Sequence, residues 1–144
     1  MTTFLDTSAL MAAINGAEVH HDWSVAQIEA RRAEGPLIIA DIVYSELSAG
    51  MASREDTDAA VTEWALERLR GNDDALFMAG QAYKAYRQKK RAPGELPKTN
   101  VLPDFLIGAL AKVEGYPLLT TNEDDFLKYF PDIEIICPPK QEAA

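Results

Sequence analysis

The sequence predicts an α/β domain, an α/β/α sandwich on a short central parallel sheet. Three observations predict it. Short apolar segments recur along the chain, each bounded by turn or polar residues. They alternate with helical segments, the pattern of a parallel sheet with helices on both faces. The first of them, Phe4-Leu5, runs directly into Asp6 and then a helix start, and an acid at the carboxyl end of a first strand lies where open α/β sheets bind their ligands.

The expected strands are Thr3–Leu5, Leu37–Ala40, Ala75–Phe77, Pro117–Leu119 and Ile133–Ile136. Helices are expected between them. Ser8–Ile14 follows the first strand, with Thr7 or Ser8 as N-cap. His21–Ala33 comes next, and Asp41 can cap a helix containing Glu46. Thr57–Arg70 carries Val61, Trp64, Ala65 and Leu69 on one stripe. Met78–Arg91 ends at the breaker Ala92-Pro93-Gly94. A last long helix begins around Pro103, whose missing N–H costs nothing in a first turn, and stops at Gly115.

The chain's 144 residues suit one compact domain, expected over residues 1–137, with 138–144 as a loosely ordered tail. No apolar run approaches the ~20 residues of a membrane span, and the N-terminus does not read as a secretory signal. Cys137 is the single cysteine, so an intrachain disulfide framework and a multi-cysteine zinc site are excluded. A reducing, cytoplasmic compartment is the expectation.

A net charge of −9 is the wrong sign for a nucleic-acid binder, unless basic residues are concentrated locally and a metal supplies the rest. They are concentrated. Lys84, Arg87, Lys89, Lys90, Arg91 and Lys98, six of the 14 basic residues, lie in one segment whose only acid is Glu95. That is an electrostatic footprint for a polyanion, or else a solvated helix face and loop. Tyr83 and Tyr86 lie in the same stretch, available for base stacking or for core packing.

Three acids are embedded in apolar sequence: Asp6, Glu46 in Ile42-Val43-Tyr44-Ser45-Glu46-Leu47, and Asp104 in Val101-Leu102-Pro103-Asp104-Phe105-Leu106. On its helix Glu46 shares a stripe with Val43, Leu47 and Gly50, and no Lys or Arg lies one turn away. A buried carboxylate is costly unless protonated, paired or metal-bound. Asp104 opens a helix whose expected core stripe is Leu106, Ala109, Leu110 and Val113; there the helix dipole favours its ionised form. A fourth acidic cluster, Asn122-Glu123-Asp124-Asp125, follows another strand's carboxyl end. Together the acids suggest one shared hard cation. A covalent-aspartate site loses local support: Ser8 stands where dehalogenase-type phosphotransferases place a second acid, and Phe4-Leu5-Asp6 lacks the paired acids of receiver domains.

Leu5-Asp6-Thr7-Ser8, Ser45-Glu46-Leu47, Leu102 to Ala109, and Leu119-Thr120-Thr121-Asn122 through Asp125-Phe126 resemble a PIN domain, and more narrowly the VapC-type toxin of a bacterial type II toxin–antitoxin pair. The resemblance covers essentially the whole chain. It implies an endoribonuclease that hydrolyses RNA phosphodiester bonds with Mg²⁺ or Mn²⁺. It implies catalytic acids at Asp6, Glu46, Asp104 and Asp125, with Asp6 and Asp104 as the metal ligands. Asp125 is the choice for the fourth position over Asn122, Glu123 and Asp124, since some relatives carry Asn with an acid three residues on, before an aromatic. Ser8 matches a small polar position that orients the site. The resemblance also implies a cognate antitoxin, a homodimer, and contact with DNA only through the antitoxin, with no membrane. Two alternatives stand beside it: a catalytically silent module in a DNA-binding toxin–antitoxin complex, and a DNA-directed nuclease using the same acids.

The remaining signals are weaker. His20 and His21 point ~100° apart on a helix and are expected at the surface or a helix N-terminus. Trp23 and Trp64 are expected in the core or an interface, and Cys137 at a buried strand end.

Overall fold

Five parallel strands form one sheet. The computed structural model describes residues 1–98 and 100–140. The strands are β1 Thr3–Leu5, β2 Leu37–Ala40, β3 Leu66–Leu69, β4 Leu118–Leu119 and β5 Ile135–Ile136. Seven helices flank them among the described residues: α1 Thr7–Ile14, α2 His21–Glu34, α3 Asp41–Ser48, α4 Arg54–Glu63, α5 Asp73–Gln88, α6 Leu102–Glu114 and α7 Asp124–Tyr129. This is the α/β architecture expected from the sequence. No helix among the described residues is long and apolar enough to cross a membrane.

Chain order fixes where a site can form. The sheet grows outward from β1 through β2 to β3, then resumes on the other side of β1 with β4 and β5. Phe4 and Leu5 pair with Leu118 and Leu119, while Thr3 and Phe4 pair with Leu37 and Ile38. The topological switch therefore falls between β1 and β4, where open α/β sheets bind ligands in a crevice at the strands' carboxyl ends. Asp6 follows β1 and Thr120 follows β4, so both stand at that crevice.

Phe4, Leu5, Ile39, Leu118 and Leu119 are fully buried, as parallel strands covered on both faces require. The long helix α6 is buried on more than one side: Phe105, Ile107, Gly108, Ala109, Leu110 and Ala111 all lie in the core. Leu106 and Val113, expected in its core stripe, are half-buried and 38% exposed respectively. Gly108 is required where it is. A Cβ there would come within 2.6 Å of the Phe130 ring and 3.2 Å of Phe126, so only glycine lets α7 and its following turn seat against α6. Gly115 ends α6 in the left-handed region, φ 75°, as expected.

Several elements depart from expectation. Ala75–Phe77 is not a strand but the first turns of α5, which opens at the Asn72 cap; the Asn72 side chain accepts from the Ala75 N–H at 2.8 Å. The same helix stops at Gln88 rather than Arg91. The missing strand is Leu66–Leu69, expected as the end of a helix over 57–70. Helix α4 instead closes at Glu63, and Ala65 turns the chain with φ 52° into β3. As an edge strand β3 exposes Glu67 and Arg68, so its apolar residues fall three apart and mimic a helix. The α1 N-cap is Asp6, not Thr7 or Ser8, and Asp41 is the first residue of α3, not its cap. Pro138 is buried; the rest of the expected tail from 141 onward lies outside the described residues.

Candidate active site

Asp6 sits at the α1 N-cap position and is only 3% exposed. Its Oδ2 accepts from the Ser8 hydroxyl at 2.6 Å and from the Thr120 hydroxyl at 2.7 Å. The two hydroxyl oxygens are 3.1 Å apart. Ser8 Oγ accepts in turn from the Thr121 N–H at 3.0 Å, and Thr120 Oγ1 from the Asn122 N–H at 3.0 Å. The segment after β4 is thereby clamped onto the segment after β1. Burial pushes the Asp6 carboxyl above its ordinary value, and the hydroxyl and amide bonds of Ser8, Thr120 and Thr7 oppose that rise.

Residues that look like helix caps in the sequence serve the acids instead. Thr7, the first residue of α1, donates its hydroxyl to Glu46 Oε1 at 2.8 Å. Glu46 is half-buried between the buried Val43 and Leu47, so α3 presents it toward β1's carboxyl end rather than into the core.

Asp104 enters from the first turn of α6, where Leu102 and Pro103 start the helix. Its carboxyl is pushed up to about 7: burial is the largest cause, and the charges of Asp6, Asp125 and Glu46 add to it. Lys98 acts in the opposite sense. Asp6, Glu46 and Asp125 are therefore near enough to Asp104 for their charges to bear on it. Within the fourth cluster, Asp125 is 7% exposed and bears on Asp104, whereas Asn122 and Asp124 are exposed and Glu123 is half-buried at the α7 cap.

A hard divalent cation fits this donor set. The candidate donors are all oxygen, burial first and then the charges of Asp6, Asp125 and Glu46 raise Asp104 into the neutral range, and Lys98 acts against that rise. Among the described residues the acids do not close into a ready cluster of three or more ligands.

Other sequence candidates lie elsewhere. His21 Nδ1 is 2.8 Å from the Ala12 carbonyl oxygen, joining α2 to α1, and His20 is the α2 cap residue. Trp23 and Trp64 pack against the core. Cys137 is half-buried just beyond β5. Tyr86 is 8% exposed and packs edge-on against Phe105 and Tyr129, so it belongs to the core. The roles of Thr7, Thr120 and Lys98 at the acids were not legible in the sequence. The one available signal was position: Thr7 and Thr120 each directly follow a residue at a strand's carboxyl end.

The PIN domain family model matches residues 3–130 of the chain. The chain belongs to the PIN domain family. Among solved structures it is similar to VapBC2 from Rickettsia felis bound to a promoter DNA fragment, at 22% identity and a TM-score of 0.68 over 95% of this chain and 98% of that one. It is similar to DNA-bound VapBC from Salmonella typhimurium, at 21% identity and a TM-score of 0.64 over 95% and 98%. It is also similar to VapC20 of Mycobacterium tuberculosis, a sarcin-ricin loop cleaving toxin, at 15% identity and a TM-score of 0.54 over 85% and 92%. No curated protein matches the chain significantly.

Proposed function

We propose that this PIN domain is a metal-dependent endoribonuclease and the toxic component of a type II toxin–antitoxin pair. One observation carries the reading: Asp104 is forced up to about 7 by burial and by the convergence of Asp6, Asp125 and Glu46 on it. Carboxylates whose charges bear on one another near a topological switch point maintain a repulsion that a bound cation would relieve. The fold likeness to VapBC complexes and to a sarcin-ricin loop cleaving toxin supports the toxin and substrate parts of the reading.

Asp6 and Asp104 would hold Mg²⁺ or Mn²⁺, with Glu46 and Asp125 supporting water or a second ion. The metal would supply charge neutralisation at the phosphate and lower the pKa of a bound water. The chain's own groups do the rest. Ser8 and Thr120 fix the Asp6 carboxylate through Oδ2, and Thr7 fixes Glu46 through Oε1, so both arrive in one orientation. The partners follow the same reading: a cognate antitoxin, a second copy of this chain, and DNA only through the antitoxin, all in the cytoplasm.

The test is incubation of the purified chain with total RNA and Mg²⁺, alongside single-stranded DNA and an Asp6→Asn control. Cleavage of RNA by the parent alone, abolished by chelation, is the expected result. Equal activity in Asp6→Asn overturns the assignment, and preference for DNA redirects it.

A further inference from the structure

We propose that Lys98 contacts the substrate, taking a backbone phosphate oxygen at the edge of the acidic crevice; this rests on the nuclease reading above. The basic residues that cluster in the sequence are engaged differently in the fold. Arg91 is committed internally: its guanidinium donates to the Tyr86 carbonyl at 3.0 Å and lies 4.8 Å over the Tyr86 ring. Arg87 lies 5.8 Å from the Tyr83 ring on the outer part of α5, near Lys84. Lys98 reaches the acids, with its ammonium 3.5 Å from Asp125 Oδ2. Of the ion pairs among the described residues, it is the one that involves Asp6, Glu46, Asp104 or Asp125.

The placement of Lys98 is built into the core. Its backbone N–H donates to the Tyr86 hydroxyl. Tyr86 is buried against Phe105 at 5.9 Å and Tyr129 at 6.1 Å. Phe105 adjoins Asp104 on α6, and Tyr129 ends α7, the helix that carries Asp125. One aromatic cluster therefore seats both acid-bearing helices and pins the loop that delivers the lysine. The ammonium itself is free to change partner. Lys98's side chain is 60% exposed, and 3.5 Å exceeds the ~2.7–2.9 Å of a tight charge-assisted bond. An exposed pair of this kind contributes little to stability, so exchanging Asp125 for a phosphate oxygen costs little. A polyanion entering an acidic crevice needs a cation at its rim, and Lys98 stands there.

The test uses a labelled single-stranded RNA and the full-length chain in the Asp6→Asn background, with binding read by fluorescence anisotropy over a salt series. Lys98→Met is expected to weaken binding about tenfold and to reduce the slope of log K against log salt by about one. Lys98→Arg should recover most of both, and in the cleaving enzyme Lys98→Met should raise KM. If the parent cleaves RNA but Lys98→Met leaves affinity, slope and KM unchanged, the Lys98 assignment is overturned and the nuclease reading stands. A parent chain that cleaves no RNA with Mg²⁺ overturns both.

Discussion

The Thr7 hydroxyl donates to Glu46 Oε1 across 39 residues of sequence, at 2.8 Å. The bond joins the first turn of α1 to α3, and so ties the residue after Asp6 to a second acid of the crevice. Removing the hydroxyl while keeping the shape, Thr7→Val, should cost about 1.5 kcal/mol of stability, the low end for a hydrogen bond to a charged group, since this one is only partly buried. RNA cleavage should fall several-fold more than that loss explains, because Glu46 would no longer be held in one orientation. Thr7→Ser restores the donor and should restore activity. Thermal melts paired with single-turnover cleavage separate the two effects; full activity in Thr7→Val would remove Glu46's orientation from the mechanism.

Asp104 gives a pH signature. Its folded-state pKa of about 7 lies above the ordinary 3.8, so the folded chain holds this proton more tightly than the unfolded chain does. Ionising Asp104 therefore costs stability progressively as pH rises from about 4 to about 7, and the whole cost is present above 7. Asp104→Asn should stabilise the fold at pH 8, on the order of 1 kcal/mol once solvent screening of a partly open carboxyl is allowed for. The gain should shrink as pH falls toward 5. Melting temperatures of parent and variant across that range check it, and a constant difference would contradict the crowding of acids around Asp104.

Divalent metal should act in the same direction. A cation bound at Asp6 and Asp104 stabilises the folded chain by about 2.7 kcal/mol at a hundredfold excess over its Kd. The effect should be larger at pH 8 than at pH 6, because a proton on Asp104 competes with the ion. Thermal shifts with Mn²⁺ and Mg²⁺ measure this directly. Asp6→Asn should abolish the shift; a shift of undiminished size in that variant would place the metal elsewhere.

Gly108 links packing to the site. An added methyl at 2.6 Å from Phe130 and 3.2 Å from Phe126 must displace rings that anchor α7, and Asp125 precedes Phe126 on that helix. Gly108→Ala should destabilise the chain by about 1–3 kcal/mol. Cleavage should also drop in protein that remains folded, as judged by circular dichroism below the melting point. A variant of parental stability would show that the rings yield freely.

The sequence separated well where local chemistry was unambiguous. Thr3–Leu5 and Leu37–Ala40 appear where apolar runs meet polar boundaries, and Pro103 and Gly115 bracket α6 as their backbone preferences dictate. It misled where a pattern had two readings. Leu66 and Leu69 have helical spacing, yet they form an edge strand because β2 offers a hydrogen-bonding edge that no local pattern encodes. Ala75–Phe77 looks apolar enough for a strand, but the Asn72 cap and the buried Ala75 and Ala79 make it helix.

The same division runs through the site. Residue type and apolar context alone singled out Asp6, Glu46 and Asp104, because carboxylates in such surroundings are costly unless something compensates them. The choice of Asp125 over its neighbours leaned on resemblance to a family, and the fold is what turns that residue inward and leaves Asp124 in solvent. Ser8 was matched by resemblance to a position that orients the site, whereas the work of Thr7 and Thr120 as hydroxyl donors to the acids, and the approach of Lys98 to Asp125, were decided only in three dimensions. The physical reason is distance along the chain. Burial cost can be judged from a residue and its neighbours, but hydrogen bonds and ion pairs spanning 27 to 114 positions exist only once the parallel sheet has brought β1 and β4 side by side.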